Sequence, residues 1–372
     1  MAPALAAIPT TPTRDDEVVE VLRSRVEGAE EQRWRALRQQ ARGQPDNLDL
    51  ALRVAQQALV WSRRDGDPRW LGQVQAALQP WWAQANPPTQ VQLLRATVKQ
   101  SLHDFDGART DLHRLLQRQP DLAQAWLLLS SVESVTGHPG QALQACRRVR
   151  AAGADWHGRV CEQEQAALGG VSAGARQAQA AKALDELASQ AQVAQLPAVR
   201  IVQAELAERR GETVVARLYY QDLMALSPDA YALGACADFL LDQGDADGVI
   251  ALLKDRQRND GLLLRLALAY QLKRAPEQAL AVRALQARFA AARERGDRVH
   301  LREEARFTLH LLRQPQRALK LAQDNWRVQK EPADARLLLE AAQRLGRQDL
   351  IDDVIAFIAQ AGWQDVRLKG WL

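Results

Sequence analysis

Small residues recur in this chain at a spacing of 34. Ala96 and Ser130 are 34 residues apart, and so are Ala108 and Ala142. The best-kept unit starts at Pro197 and has Ala204, Gly211, Ala216, Tyr220, Leu223 and Pro228 at its positions 8, 15, 20, 24, 27 and 32. Each small residue has a physical role. At positions 8 and 20 two helices of a hairpin cross closely, and larger side chains would hold them apart. Glycine near position 15 permits the tight turn, and proline near 32 stops the second helix. A unit of this size buries its apolar face only against neighbouring units, so the repeat constrains the fold more than any other feature.

Less regular units fill the remaining length. One begins near Leu48 with Ala55 at its eighth position, and the extra residues of "RRDGDPRW" are expected to lengthen its turn. Another begins near His157 and passes through Gly169. A shortened unit spans Ala230 to Asn259 with Ala237 and Gly244; the next carries Ala267, Tyr270 and Ala279, with a second helix running on through "AVRALQARFAAARERGD". The last two contain Ala318 and Pro332, then Gly346 and Leu350. The pattern resembles the tetratricopeptide repeat, which implies an all-α, right-handed solenoid of about eight helical hairpins. The expected layout is an extended segment over 1–16 and a single solenoid over 17–372, with a bend near 170–197 at Leu196-Pro197. Composition agrees with an all-helical chain: Ala, Leu, Gln and Arg dominate, and Ile, Thr, Tyr and Phe are scarce.

Charge excludes little. Forty-nine basic residues against 45 acidic ones leave a net +4. The basic runs, such as Arg147-Arg148-Val149-Arg150, are short and read as solvated helix faces, so no nucleic-acid partner is expected. No run reaches the roughly 18 apolar residues of a membrane span. The opening residues lack the basic and long apolar regions of a signal peptide. Yet Ala4-Leu5-Ala6-Ala7 resembles the small-residue end of one, followed by the extended stretch Ile8 to Thr13. A chain shortened from a secreted precursor and a natural cytosolic start both fit.

Catalytic constellations are not found. None of the six histidines pairs at i, i+4, and none stands at zinc-site spacing from a cysteine. No phosphate-binding loop, nucleophile elbow or dinucleotide fingerprint occurs, and Gly169-Gly170 reads as a turn. No catalytic residue, metal site or cofactor is expected. Three cysteines are present. In the repeat frame Cys146 lies on a second helix and Cys161 on the following first helix, so their sulfurs could meet. They are either buried small hydrophobes or a disulfide, which would fit an oxidising compartment. Cys236 is left single.

A partner would meet the inner groove, lined by positions 2, 5, 9 and 12 of each first helix. Those positions include Thr97 and Gln100, then Ser131 and Ser134, then Glu205 and Glu208, with Tyr231 and Asp238 beyond. Position 5 is Leu93, Leu127 or Ile201, and no Lys/Asn pair appears, so capture of an acidic chaperone tail is not expected. Glu205, Glu208 and Asp238 make the middle groove acidic in this reading, which suits a basic or polar segment with apolar anchors. Trp81 and Trp82, inside "LQPWWAQANPP", are expected at the junction between two hairpins, one ring wedged and the other partly exposed.

Beyond the repeat, the strings "GDPRWLGQVQAALQPWW", "LLRATVKQSLHDFDGARTDL", "QAWLLLSSV" and "EPADARLLLEAA" resemble a family of uncharacterised secreted bacterial tetratricopeptide proteins. The resemblance implies a periplasmic setting and supplies no site residues. The function expected is a non-catalytic scaffold or adaptor that binds a protein or peptide through its concave groove. A cytosolic regulatory module of the same fold is the alternative.

Overall fold

The computed structural model describes residues 28–168, 173–297 and 299–372. The extended segment expected over 1–16 and the turn at Gly169-Gly170 lie outside the described residues. Among these residues every regular element is helical. A first helix, α1 (Ala29–Gly43), precedes a series of hairpins. These pair α2 (Leu48–Asp65) with α3 (Arg69–Ala77), followed by the single turn α4 (Gln79–Trp82); α5 (Thr89–Ser101) with α6 (Phe105–Arg118); α7 (Ala123–Val135) with α8 (Pro139–Ala151); and α9 (Asp155–Leu168) with α10 (Ala173–Ser189). The second half continues with α11 (Leu196–Arg210) and α12 (Thr213–Met224), α13 (Ala230–Asp242) and α14 (Ala246–Leu253), α15 (Asp260–Lys273) and α16 (Glu277–Glu294), α17 (Leu301–His310) and α18 (Pro315–Val328), and α19 (Pro332–Arg344) and α20 (Gln348–Ala361). That makes nine hairpins among the described residues, one more than the repeat count suggests. The architecture is an all-α solenoid of tetratricopeptide-like units.

The small residues sit where close helix crossing requires them. Ala55, Ala96, Ala108, Ala142, Ala204, Ala216, Ala237 and Ala267 are all wholly buried, and Ser130 is nearly so. Local sequence starts and stops the helices. Asn47, Asp104, Asp229, Asp245 and Asn259 each accept a backbone N–H of the first turn, at the starts of α2, α6, α13, α14 and α15. Gly211 ends α11 with φ +78°, a left-handed conformation that a side chain would strain.

Two local readings are corrected. The residues "RRDGDPRW" do not lengthen a turn: α2 itself runs for 18 residues to Asp65, and only Gly66–Pro68 connect it to α3. The added turn of helix carries Trp61 into a three-ring cluster with Trp34 and Trp70, whose centroids are 4.7–5.8 Å apart. In α16, Ala279 is exposed, and Ala281 with Leu285 forms the buried face.

The chain winds far enough to meet itself. Asn259 Nδ2 donates to the carbonyls of Asp65 and Gly66, 3.2 and 3.1 Å away. Gln177 Nε2 donates to the Gln364 carbonyl at 2.8 Å. The Lys330 N–H donates to the Val135 carbonyl at 2.7 Å. The side-chain contacts join residues 187 to 194 apart. A near-constant separation means that one turn of the superhelix rests on the turn before it.

Candidate functional site

Because the turns close, the inner face becomes the wall of a cavity of about 1180 Å³. First helices of the second half line most of it: α11, α13, α15, α17 and α19. Loops at Gly66–Arg69 and Arg258–Asn259, the end of α16, and the helical turn Val366–Leu368 complete it.

Of the residues expected in the groove, Glu205, Glu208, Tyr231 and Asp238 lie on this wall. Thr97, Gln100, Ser131 and Ser134 do not. Thr97 is buried within its hairpin, its hydroxyl donating to the Leu93 carbonyl at 2.9 Å. Ser134 precedes Val135, which meets Lys330 at the seam. Position in a repeat indicates a concave face; only the closure of the superhelix decides which part of that face still borders open space.

The acidic groove expected from Glu205, Glu208 and Asp238 is also corrected. Ten carboxylates line the cavity, and ten arginines line it with them. Asp238 accepts from Arg265 Nη2 and Arg306 Nη1, each at 2.5 Å. Burial acts to raise its pKa, but the two guanidiniums outweigh it and hold the carboxyl well below the usual range. Glu205 accepts from the Tyr231 hydroxyl at 2.6 Å and from Arg209 Nη2 at 3.1 Å. The charge of Glu205 pushes the Tyr231 phenol well above its ordinary pKa, so it stays a neutral donor. Glu208 accepts from the Tyr220 hydroxyl at 3.0 Å and from Arg367 Nη1 at 2.6 Å. Arg336 joins Asp242 at 2.6 Å to Glu340 at 3.1 Å. Arg302 reaches Glu331 at 2.7 Å.

Arg265, Arg302, Arg306, Arg336 and Arg367 are therefore the wall residues that repeat positions did not reveal. Arg306 is 68 residues from Asp238, and Arg367 is 159 from Glu208. No local signal announces such partners. The wall also presents apolar surface: the Tyr231 ring is 61% exposed and Leu272 58%. The wall thus combines ion pairs with exposed apolar side chains. No group of three or more potential metal ligands occurs among the described residues.

No family model matches the chain, and no curated protein matches it. Solved structures similar to it include a tetratricopeptide repeat protein from Parabacteroides merdae, at 15% identity over 63% of this chain and 90% of that one, with a TM-score of 0.46. The APC/C hetero-tetramer Cut9-Hcn1 is similar at 16% identity over 84% of this chain and 60% of that one, TM-score 0.44. The human IFIT1 dimer with m7Gppp-AAAA is similar at 11% identity over 89% and 85%, TM-score 0.45. The hairpins themselves, with their buried small residues, define the fold.

Proposed function

We propose that this chain is a non-catalytic interaction scaffold that binds an extended segment of a partner protein inside its cavity, in the bacterial periplasm. The supporting observation is the cavity: its volume of about 1180 Å³ exceeds the roughly 300–1000 Å³ of small-ligand sites and suits an extended segment. Side chains along the wall are already held by ion pairs, so an incoming chain loses little to wall ordering. The periplasmic part of the reading rests on Cys146 and Cys161, whose sulfurs are 2.02 Å apart, since bridges of this kind persist in oxidising compartments.

The test is site-specific crosslinking in the native organism. Tyr231→p-benzoylphenylalanine faces the cavity; Val214→p-benzoylphenylalanine, 75% exposed on α12, serves as the outer control. A protein adduct formed at 231 and not at 214, recovered with envelope proteins, supports the proposal. Equal adducts at both positions, or none at 231, sink the cavity reading. Recovery with transcription components instead points to the cytosolic module.

A further inference from the structure

The charges on the cavity wall are not evenly spread. At the seam Asn259 meets Gly66, and both residues line the cavity. Arg69 and Arg258 flank that contact in sequence, and both line the cavity. Arg288 is fixed there by its Nη1, which donates to the Gln257 carbonyl at 3.0 Å and to Asp260 at 2.8 Å. Arg295 follows two turns along the same face of the helix and also lines the cavity. Arg69, Arg258 and Arg288 thus stand by this contact with two carboxylates, Asp67 and Asp260, and Arg295 lines the cavity at the end of α16. The rest of the wall has eight carboxylates against six arginines.

Pairing sharpens the asymmetry. Every one of the ten carboxylates on the wall has an arginine partner within 4 Å. Among the described residues Arg258 and Arg295 have none, and both are exposed. The free valence of the cavity is therefore cationic. Cleft walls of low polarisability concentrate such a field on whatever enters.

Resting on the reading that an extended segment occupies the cavity, we infer that this segment is acidic where it passes the seam, its Asp or Glu side chains lying between Arg258 and Arg295. Its apolar residues then meet Tyr231 and Leu272. A basic segment, which the acids of α11 and α13 invite when read alone, finds those acids already occupied.

The experiment uses the whole chain and three labelled octapeptides, acetylated and amidated so that no terminal charge contributes. Leucine alternates with aspartate, serine or arginine. Anisotropy is read at low and at physiological salt, with the wild type and with Arg258→Ala/Arg295→Ala; both side chains are exposed, and an unchanged melting temperature checks the fold. The aspartate peptide should bind more tightly than the serine peptide. That advantage should shrink with salt and fall about five- to tenfold in the double variant, the worth of two exposed ion pairs. Aspartate binding equal to serine binding, or undiminished in the double variant, overturns the inference. If the arginine peptide alone binds, the cavity still takes a peptide and only its acidic character is wrong. If no peptide binds and position 231 forms no adduct, both readings fall.

Discussion

Glu164 on α9 lies in the field of Glu205 on α11, the first helix of the next hairpin. No hydrogen bond or ion pair reaches its carboxylate among the described residues. Burial first, and then the charge of Glu205, push its pKa from 4.5 up to about 7. The folded state therefore binds a proton that the unfolded chain has released between those values. Its contribution is fully present below about pH 4.5 and is lost as pH rises through about 7. Glu164→Gln should leave stability at pH 5 nearly unchanged and raise it at pH 8 by roughly 1–3 kcal/mol. Urea titrations at the two pH values measure this; equal effects at both would contradict it. Single residues were legible in part. The repeat register picks out Glu205, Glu208, Tyr231 and Asp238, because the helical period fixes which side chains share a face. Arg209, which pairs with Glu205, is four residues along the same helix; the arginines that pair with Glu208 and Asp238 arrive from other hairpins, and the register is silent on those.

Elements depend on how hairpins are joined. Trp81 and Trp82 form the second half of the single turn α4, and both are half-buried against the core that contains Trp34, Trp61 and Val74. The buried Arg95 ties this junction to the next hairpin: its guanidinium donates to the Trp82 and Gln84 carbonyls at 2.5 and 2.9 Å and pairs with Asp111 at 2.5 Å. Adjacent residues on a helix point about 100° apart, yet both rings pack inward because α4 crosses the junction and has core on two sides. Trp81→Ala/Trp82→Ala should lower unfolding free energy by about 3–5 kcal/mol, from roughly half of each ring's area. An unchanged denaturation midpoint would mean that the two rings do not hold the junction together.

The second joint is Cys146–Cys161, which links α8 to α9, with Cα atoms 5.4 Å apart and the Ser130 hydroxyl 3.1 Å from Cys146 Sγ. Intact mass before and after reduction should differ by two hydrogen atoms. Reduction should cost about 3 kcal/mol for a loop of this size. Cys236 is buried, and burial pushes its thiol up to about 11, so it should resist alkylation in the native state.

At the scale of the molecule, the seam turns a groove into a cavity. Asn259 serves it twice: its Oδ1 accepts the Leu262 N–H to cap α15, and its Nδ2 donates across the seam to Asp65 and Gly66. Asn259→Asp keeps the acceptor and removes the donor. It should leave α15 capped while the amides flanking Gly66 exchange faster by hydrogen–deuterium mass spectrometry. Uniform acceleration through α15 as well would mean that the cap, and not the seam, had been lost.

The sequence by itself determined the unit: its length, its paired helices, the small residues at their crossing and the caps at their ends. Those features are local, set by backbone propensity and by contacts within one or two repeats. The count of units was nearly legible, and the inward face was legible at Glu205, Glu208, Tyr231 and Asp238 but not at Thr97, Gln100, Ser131 and Ser134. Only the tertiary structure decided what that face encloses. Each hairpin adds a small rotation to the last, and the rotations accumulate until residues almost two hundred positions apart touch. Whether Asp238 meets one arginine or two, and which arginines of the wall stay unpaired, follow from that sum, which no single repeat contains.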